Sequence, residues 1–392
     1  MYPHQAERLT QVLDREGLEA LVATAPENIA YITGFRSLAQ AIYRRTPHFA
    51  VFTRDALALV VPVIELPAVA TEAGDLPHVL PYGEFYFEYD AQPGDVGRRI
   101  RDWATTKPHA NAANALAAAL ERLAVRRGPL GLDDSALPFD LWHRASERLA
   151  PLRVVAAGSF FTEARSIKSP YEIECLERSL HLAEEAANAV IQMLEPGVTE
   201  RQAVTLFQET VVKTGGAPYC SIIAFGDHTA IPAPAPRDRG LKAGELVRFE
   251  VGCEWKGYYS GVARTAILGQ PTERQDRTYE AAQAGLAAAI DSIKPGVAAG
   301  TVFDAAIRAA REAGLPSYRR HHAGHATGLE PFEPPLLAAG EDTELQQAMV
   351  LRVEAPYYVI GWGGVTVMDT VLVTRGGARV MNRAARGLIA LD

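Results

Sequence analysis

Apolar and polar positions follow two different rhythms along the 392-residue chain. In the first part, helical spacing and apolar runs of strand length take turns. Leu9, Val12 and Leu13 of RLTQVLDREG (8–17) recur at helical spacing, and Gly17 is the stop. LEALVAT (18–24) is an apolar run of strand length. AVFTRDALALVVP (50–62) reads as two strands about a turn, and HVLPYG (78–83) as another short strand. NALAAALERLA (114–124) and SALPFDLWHRASERLA (135–150) are helical, with the strand-like GPLGLDD (128–134) between them. Such alternation predicts an α/β domain with a mixed sheet over residues 1–155.

The rhythm changes after LRVVAAGSFFTEARSIKSP (152–170), which is expected to pass between domains, so that a second domain covers 156–392. SPYE (169–172) predicts a capping box with Pro170 at the first helical position. Ile173, Leu176, Leu180, Ala183 and Ala187 then share one helix face. Two later stretches echo each other. MLEPGVTERQAVTLF (193–207) ends a helix, turns at Pro-Gly-Val and starts another at Thr199. SIKPGVAAGTVFDAAI (292–307) does the same, with Thr301 near the start. Pro-Gly turns are common, so chance is the plain alternative. A true repeat of a helix pair and a hairpin makes the second domain α+β with a pseudo-twofold axis. LVRFEVG (246–252) and YYSGVARTAILG (258–269) around Gly257 read as the two arms of one hairpin.

Composition narrows the class. Lys+Arg 39 against Asp+Glu 47 gives a net charge of −8, and no basic block interrupts it, so no nucleic-acid partner is expected. Cys175, Cys220 and Cys253 are too few and too scattered for a disulfide framework or a zinc motif. The N-terminus reads as an amphipathic helix and not a signal peptide. No apolar run approaches the ~20 residues of a membrane span. A cytoplasmic protein with no membrane partner is the expectation.

ENIAYITGF (27–35), RSIKSPYEIECLERS (165–179), LEPGVTE (194–200), GYYSGVART (257–265), HHAGHATGL (321–329) and MVLRVEAP (349–356) together resemble the prolidase/aminopeptidase P/creatinase family. The motifs occur in the family's order over nearly the whole chain. The resemblance implies a small α/β domain followed by a "pita-bread" domain, and a homodimer. In metal-dependent members five ligands recur, Asp, Asp, His, Glu and Glu, and those places here read Glu250, Gly261, His325, Glu354 and Met368. A substrate-binding His corresponds to Ala233, and another His to Phe332, with Glu333 beside it kept. His321, four residues before His325, is also retained. Arg264, of the Arg-Thr pair, completes the pocket residues that the resemblance implies.

Gly has no side chain and a thioether suits soft metals, so Gly261 and Met368 cannot bridge a pair of hard cations. No metal and no other cofactor is expected. Glu250, His325 and Glu354 would be the only ligands left for a mononuclear site. Strand alternation sets Arg248 on the face of Glu250, and Arg352 on the face of Glu354. Guanidinium forks suit carboxylates, so both arginines are expected to neutralise them; the alternative is that they bend away to solvent. Three functions stay open. The pocket binds a small molecule or short peptide without hydrolysis. It hydrolyses a C–N bond without metal, as creatinase does, using His325 held by Glu354 together with Glu250. Or the chain is an Xaa-Pro dipeptidase. Creatinase's own pattern fails, because its His and Glu fall on Ala233 and Ala263. His325 and His321 are equally readable as structural remnants, and His228 as a solvated loop residue.

Overall fold

The computed structural model describes residues 3–43, 46–150 and 152–391. It divides into two compact units, residues 1–165 and 166–392. In the first unit, six strands form one mixed sheet: β1 (Ala20–Ala23), β2 (Phe49–Phe52), β3 (Leu57–Pro62), β4 (Val79–Tyr82), β5 (Pro129–Leu132) and β6 (Arg153–Ala156), in the order β4-β3-β2-β1-β5-β6. The expected strands and helices are present, including the first helix, Pro3–Glu16, after which Gly17 takes a positive φ of 62°. The boundary falls ten residues later than expected from sequence. Helix Gly158–Ser166 keeps with the first unit because Phe161 and Ala164 are fully buried there and the Tyr31 hydroxyl donates to the Ala164 carbonyl.

In the second unit, helix Pro170–Met193 opens with the full capping box between Ser169 and Glu172. Helix Glu200–Lys213 opens with another, between Thr199 and Gln202. Strands β7 (Ala217–Phe225), β8 (Leu246–Trp255) and β9 (Tyr258–Leu268) follow, β8 and β9 being the expected hairpin. A second helix pair, Glu273–Ser292 and Ala299–Glu312, leads into β10 (His322–Ala326), β11 (Glu333–Ala338) and β12 (Val350–Glu354). The small pair β13 (Tyr357–Val359) and β14 (Gly363–Val365) precedes β15 (Met368–Thr374), β16 (Gly377–Val380) and β17 (Ile389–Leu391). The large sheet runs β11-β10-β12-β15-β9-β8-β7, with β16 on β15 and β17 on β9.

The echo in sequence is a repeat in hydrogen bonding. Gly197 N–H donates to Leu241 and Gly296 N–H to Leu345; Leu241 N–H donates to Val198 and Leu345 N–H to Val297. Both glycines need positive φ, 96° and 82°. Thr301 does not cap its helix, because the helix starts earlier, at Ala299, with Ala298 at the cap.

Pleating sorts the residues of the sheet by face. Val247, Phe249 and Val251 of β8 are buried against the first helix pair, and Leu351 and Val353 of β12 against the second. Arg248, Glu250, Arg352 and Glu354 therefore share the opposite face. Arg264 was expected in the pocket, and alternation instead sends it to the back of β9. There it donates to the carbonyls of Ala263, Met368, Ala384 and Ala385 and to the Asp369 carboxylate at 2.8 Å. It clamps the C-terminal segment across the sheet. Asp369 is fully buried, with Arg386 as its second partner. Arg264→Met should cost about 3–5 kcal/mol of stability by breaking this buried pair. Denaturant midpoints check it, and a midpoint equal to the parent's would refute the clamp.

Candidate functional site

The strand register lays the site out in two rows. In one, Glu250 pairs with Ala263, Ala263 with Met368, and Met368 with Glu354 across β8, β9, β15 and β12. Three strand spacings separate the end carboxylates, roughly 14 Å of backbone. In the next row Gly252 pairs with Gly261, Thr370 with Arg352, and Arg352 with His325. The Thr370 hydroxyl ties the two halves by donating to the Gly261 carbonyl at 3.2 Å.

Glu250 is ion-paired. Arg248, whose side chain is fully buried, donates Nη1 to Glu250 Oε2 at 3.0 Å. Its Nη2 donates to the carbonyls of Ile231 and Pro232, and its guanidinium lies over the Tyr358 ring at 5.2 Å. One arginine thus holds a carboxylate and the loop before Ala233, which is itself exposed. Burial and the neighbouring Glu354 charge push the Glu250 carboxyl up, against Arg248, Arg352 and Arg320.

Glu354 is held by residues not anticipated from sequence. Arg320 donates to Oε1 at 3.1 Å, and His322 Nε2 lies 3.3 Å from the same oxygen. Burial disfavours the charged carboxylate, but His322 and Arg320 outweigh it and bring the group down to about 2. The expected partner, Arg352, goes elsewhere: its Nη1 donates to the Tyr219 hydroxyl at 2.5 Å. A β-carbon at Gly252 would meet the Tyr219 ring at 2.4–2.7 Å, and one at Gly261 would lie 3.2 Å from Arg352 Nη2. Tyr219 and Arg352 therefore fill the furrow left by two side-chain-free positions. A bulky residue facing a glycine was the available signal for Tyr219; nothing in the sequence marked Arg320.

His325 is not held by Glu354 as expected. Its Nδ1 faces the Ala326 carbonyl at 2.8 Å, which assigns Nδ1–H as donor, and its ring stacks on Phe332 with centroids 3.8 Å apart. Burial, helped by the Arg352 charge, brings it down to about 4. His321 is exposed; the neighbouring His322 reaches Glu354 in its place, because the chain bulges between His322 and His325. Glu333 is drawn away from the pocket into a buried ion pair with Lys168 Nζ at 2.9 Å. His228 is not solvated: it is buried, with Nδ1 2.8 Å from Glu200 Oε1. Met368 is buried between Ala263 and Glu354, and half-exposed Phe332 stands at the pocket's rim. Among the described residues no three His, Cys, Asp or Glu side chains are placed to hold one metal ion.

Acid should unfold this site in two stages. His325 titrates at about 4 when folded against its ordinary 6.5, and Glu354 at about 2 against 4.5. In both cases the unfolded chain takes up protons first, so stability falls with pH, between about 6.5 and 4 through His325 and between 4.5 and 2 through Glu354. Each contributes about 3 kcal/mol. The parent minus His325→Gln difference in unfolding free energy should change across the upper window; a flat difference would refute the buried neutral imidazole.

Three comparisons with known proteins bear on this geometry. Residues 174–375 match metallopeptidase family M24, and residues 5–167 match the creatinase/prolidase N-terminal domain. An Xaa-Pro dipeptidase of Pyrococcus horikoshii is 30% identical over 263 residues, 66% of this chain and 74% of that protein. Another, from Pyrococcus furiosus, is 33% identical over 230 residues, 58% of this chain and 66% of that protein, just under two thirds of its length. The solved Xaa-Pro dipeptidase of Bacillus anthracis superposes with a TM-score of 0.82 over 99% of both chains at 21% identity, a likeness of fold.

Proposed function

The chain belongs to metallopeptidase family M24, and from that premise we propose that its pocket has exchanged a metal pair for arginines and binds a small molecule or short peptide without hydrolysing it at a peptidase rate. One observation carries this: guanidinium groups occupy the neighbourhood of the first two ligand positions, Arg248 on Glu250 and Arg352 over Gly261. A divalent cation there would face two fixed positive charges at close range, repulsion that low dielectric strengthens. At Met368 the donor is a buried thioether, and at Gly261 there is none. The residues do not fit a pair of hard cations, so no step is derived through one.

A metal-free hydrolysis of a C–N bond is the second reading. It is favoured by the tautomer of His325, whose Nδ1–H is anchored and whose Nε2 is left as an acceptor, the form a general base requires. Its titration near 4 makes it a weak base at neutral pH, which ranks this reading below ligand binding. Xaa-Pro dipeptidase activity, the name two relatives carry, ranks third, since a two-metal mechanism needs bridging carboxylates and an activated water.

Elemental analysis after dialysis against Mn²⁺ or Zn²⁺ should give less than one ion per chain. Xaa-Pro dipeptides should be turned over at least hundreds of times more slowly than by the Pyrococcus horikoshii relative assayed alongside, the factor for losing a few kcal/mol of transition-state stabilisation. Two tightly held ions per chain, or Mn²⁺-dependent turnover abolished by Glu354→Ala, would overturn the proposal.

A further inference from the structure

We infer that a cavity along helix Pro170–Met193 is a binding site for a small phosphomonoester with an aromatic body. The cavity, of about 440 Å³, shares no residue with the pocket described above, so it stands or falls apart from the function proposed there. Its size lies within the ~300–1,000 Å³ of small-molecule sites. Three cations converge on it from three elements: Arg178 from the helix, Lys256 from the tip of the β8–β9 hairpin, and Arg383 from the C-terminal segment. All three are exposed, and among the described residues none of them is ion-paired. Of the two carboxylates that line the cavity, Glu177 is taken by Arg379 at 2.7 Å, which leaves Glu174 against the three cations. Glu254, next to Trp255, accepts from the Gly257 N–H at 3.0 Å, and His181 faces the Met381 carbonyl at 3.3 Å. The positive surplus is local, in a chain whose net charge is −8. A phosphomonoester is close to a dianion at neutral pH and balances it.

Each cation stands on backbone that is already fixed. Arg178 lies inside a 24-residue helix, with its guanidinium 5.6 Å from the Trp255 ring. Lys256 and Gly257 are the two central residues of the hairpin turn, with φ of 51° and 89°, and the Lys256 ammonium lies 5.8 Å from the Tyr171 ring. Such a turn favours Asn or Gly at its first central position, so a lysine is kept there against its own backbone preference. The N–H groups of Arg383 and Ala384 donate to the Glu184 carboxylate at 3.0 Å, and the carbonyls of Ala384 and Ala385 accept from Arg264. Rigid placement lowers the ordering cost of binding. Trp255 and Tyr171 are half-buried and line the cavity beside the buried Cys175. They give the ester's aromatic body an apolar wall, and the Arg178 guanidinium offers it a planar face to stack on.

Calorimetric titration of the full chain tests this. The probes are phenyl phosphate and adenosine 5′-monophosphate, with phenol as the uncharged ring and inorganic phosphate as the anion without a ring. At least one ester should bind saturably, and the tighter of the two tells a nucleotide from a simple aryl ester. Phenol and inorganic phosphate should bind at least tenfold more weakly. Arg383→Ala should weaken the bound ester at least fivefold. Lys256→Gly should do the same while folding at least as well as the parent, because glycine suits the turn; this variant decides the matter if another does not fold. Glu174→Gln should tighten binding. Absence of saturable binding by both esters, phenol or inorganic phosphate binding as tightly as the esters, affinity unchanged in Lys256→Gly or Arg383→Ala, or weakened in Glu174→Gln, would each overturn the site.

Discussion

Buried guanidinium groups set against too few carboxylates are the constraint on which the pocket depends. A buried carboxylate alone is costly, and so is a buried guanidinium alone, so each fixes where the other can lie. Arg248 binds Glu250 and two loop carbonyls; Arg320, with His322, binds Glu354. Arg352 is left with a phenol, in room made by two glycines. The same distribution of charge governs the titration of the site. Glu354, held by Arg320 and His322, stays ionised, while burial and the nearby Glu354 charge push Glu250 up.

The scaffold makes this arrangement possible by dividing labour between faces. Odd positions of β8 and β12 are apolar and pack on helices, so the even positions are forced to one common surface. The polar residues on the helix side are fully committed. Arg264 spends its donors on four carbonyls and Asp369, and Lys168 on Glu333 and the Ser166 carbonyl. Arg264 has no N–H left for a ligand, and Lys168 is turned to its own buried pair. Residues that motif position alone would assign to the pocket are thereby shown to hold the frame around it.

His325 illustrates how a retained residue can change its chemistry without changing its identity. Its Nδ1–H is tied to the next residue's carbonyl, its face is covered by Phe332, and Arg352 stands opposite it in the register. Burial and the Arg352 charge keep the imidazole neutral, against the Ala326 hydrogen bond, which favours the protonated ring. A neutral ring beside a guanidinium is a wall and an acceptor for a ligand, and a poor acid.

The sequence by itself determined the elements and the face each residue takes. Helical and strand periods, the capping boxes at Ser169 and Thr199 and the paired Pro-Gly-Val turns are local features, and local physics decides them. The same alternation paired Arg248 with Glu250, two residues apart on one strand. Five altered positions were also legible by their order in the motifs. What required the tertiary structure was every partner that comes from another element: Arg320 and His322 for Glu354, Tyr219 for Arg352, Lys168 for Glu333, Glu200 for His228 and Asp369 for Arg264. Those contacts span between 28 and 165 residues of chain in the cases of His228 and Glu333. No period encodes them, because the register of the strands and the bulge in β10, not spacing along the chain, decide which side chains meet.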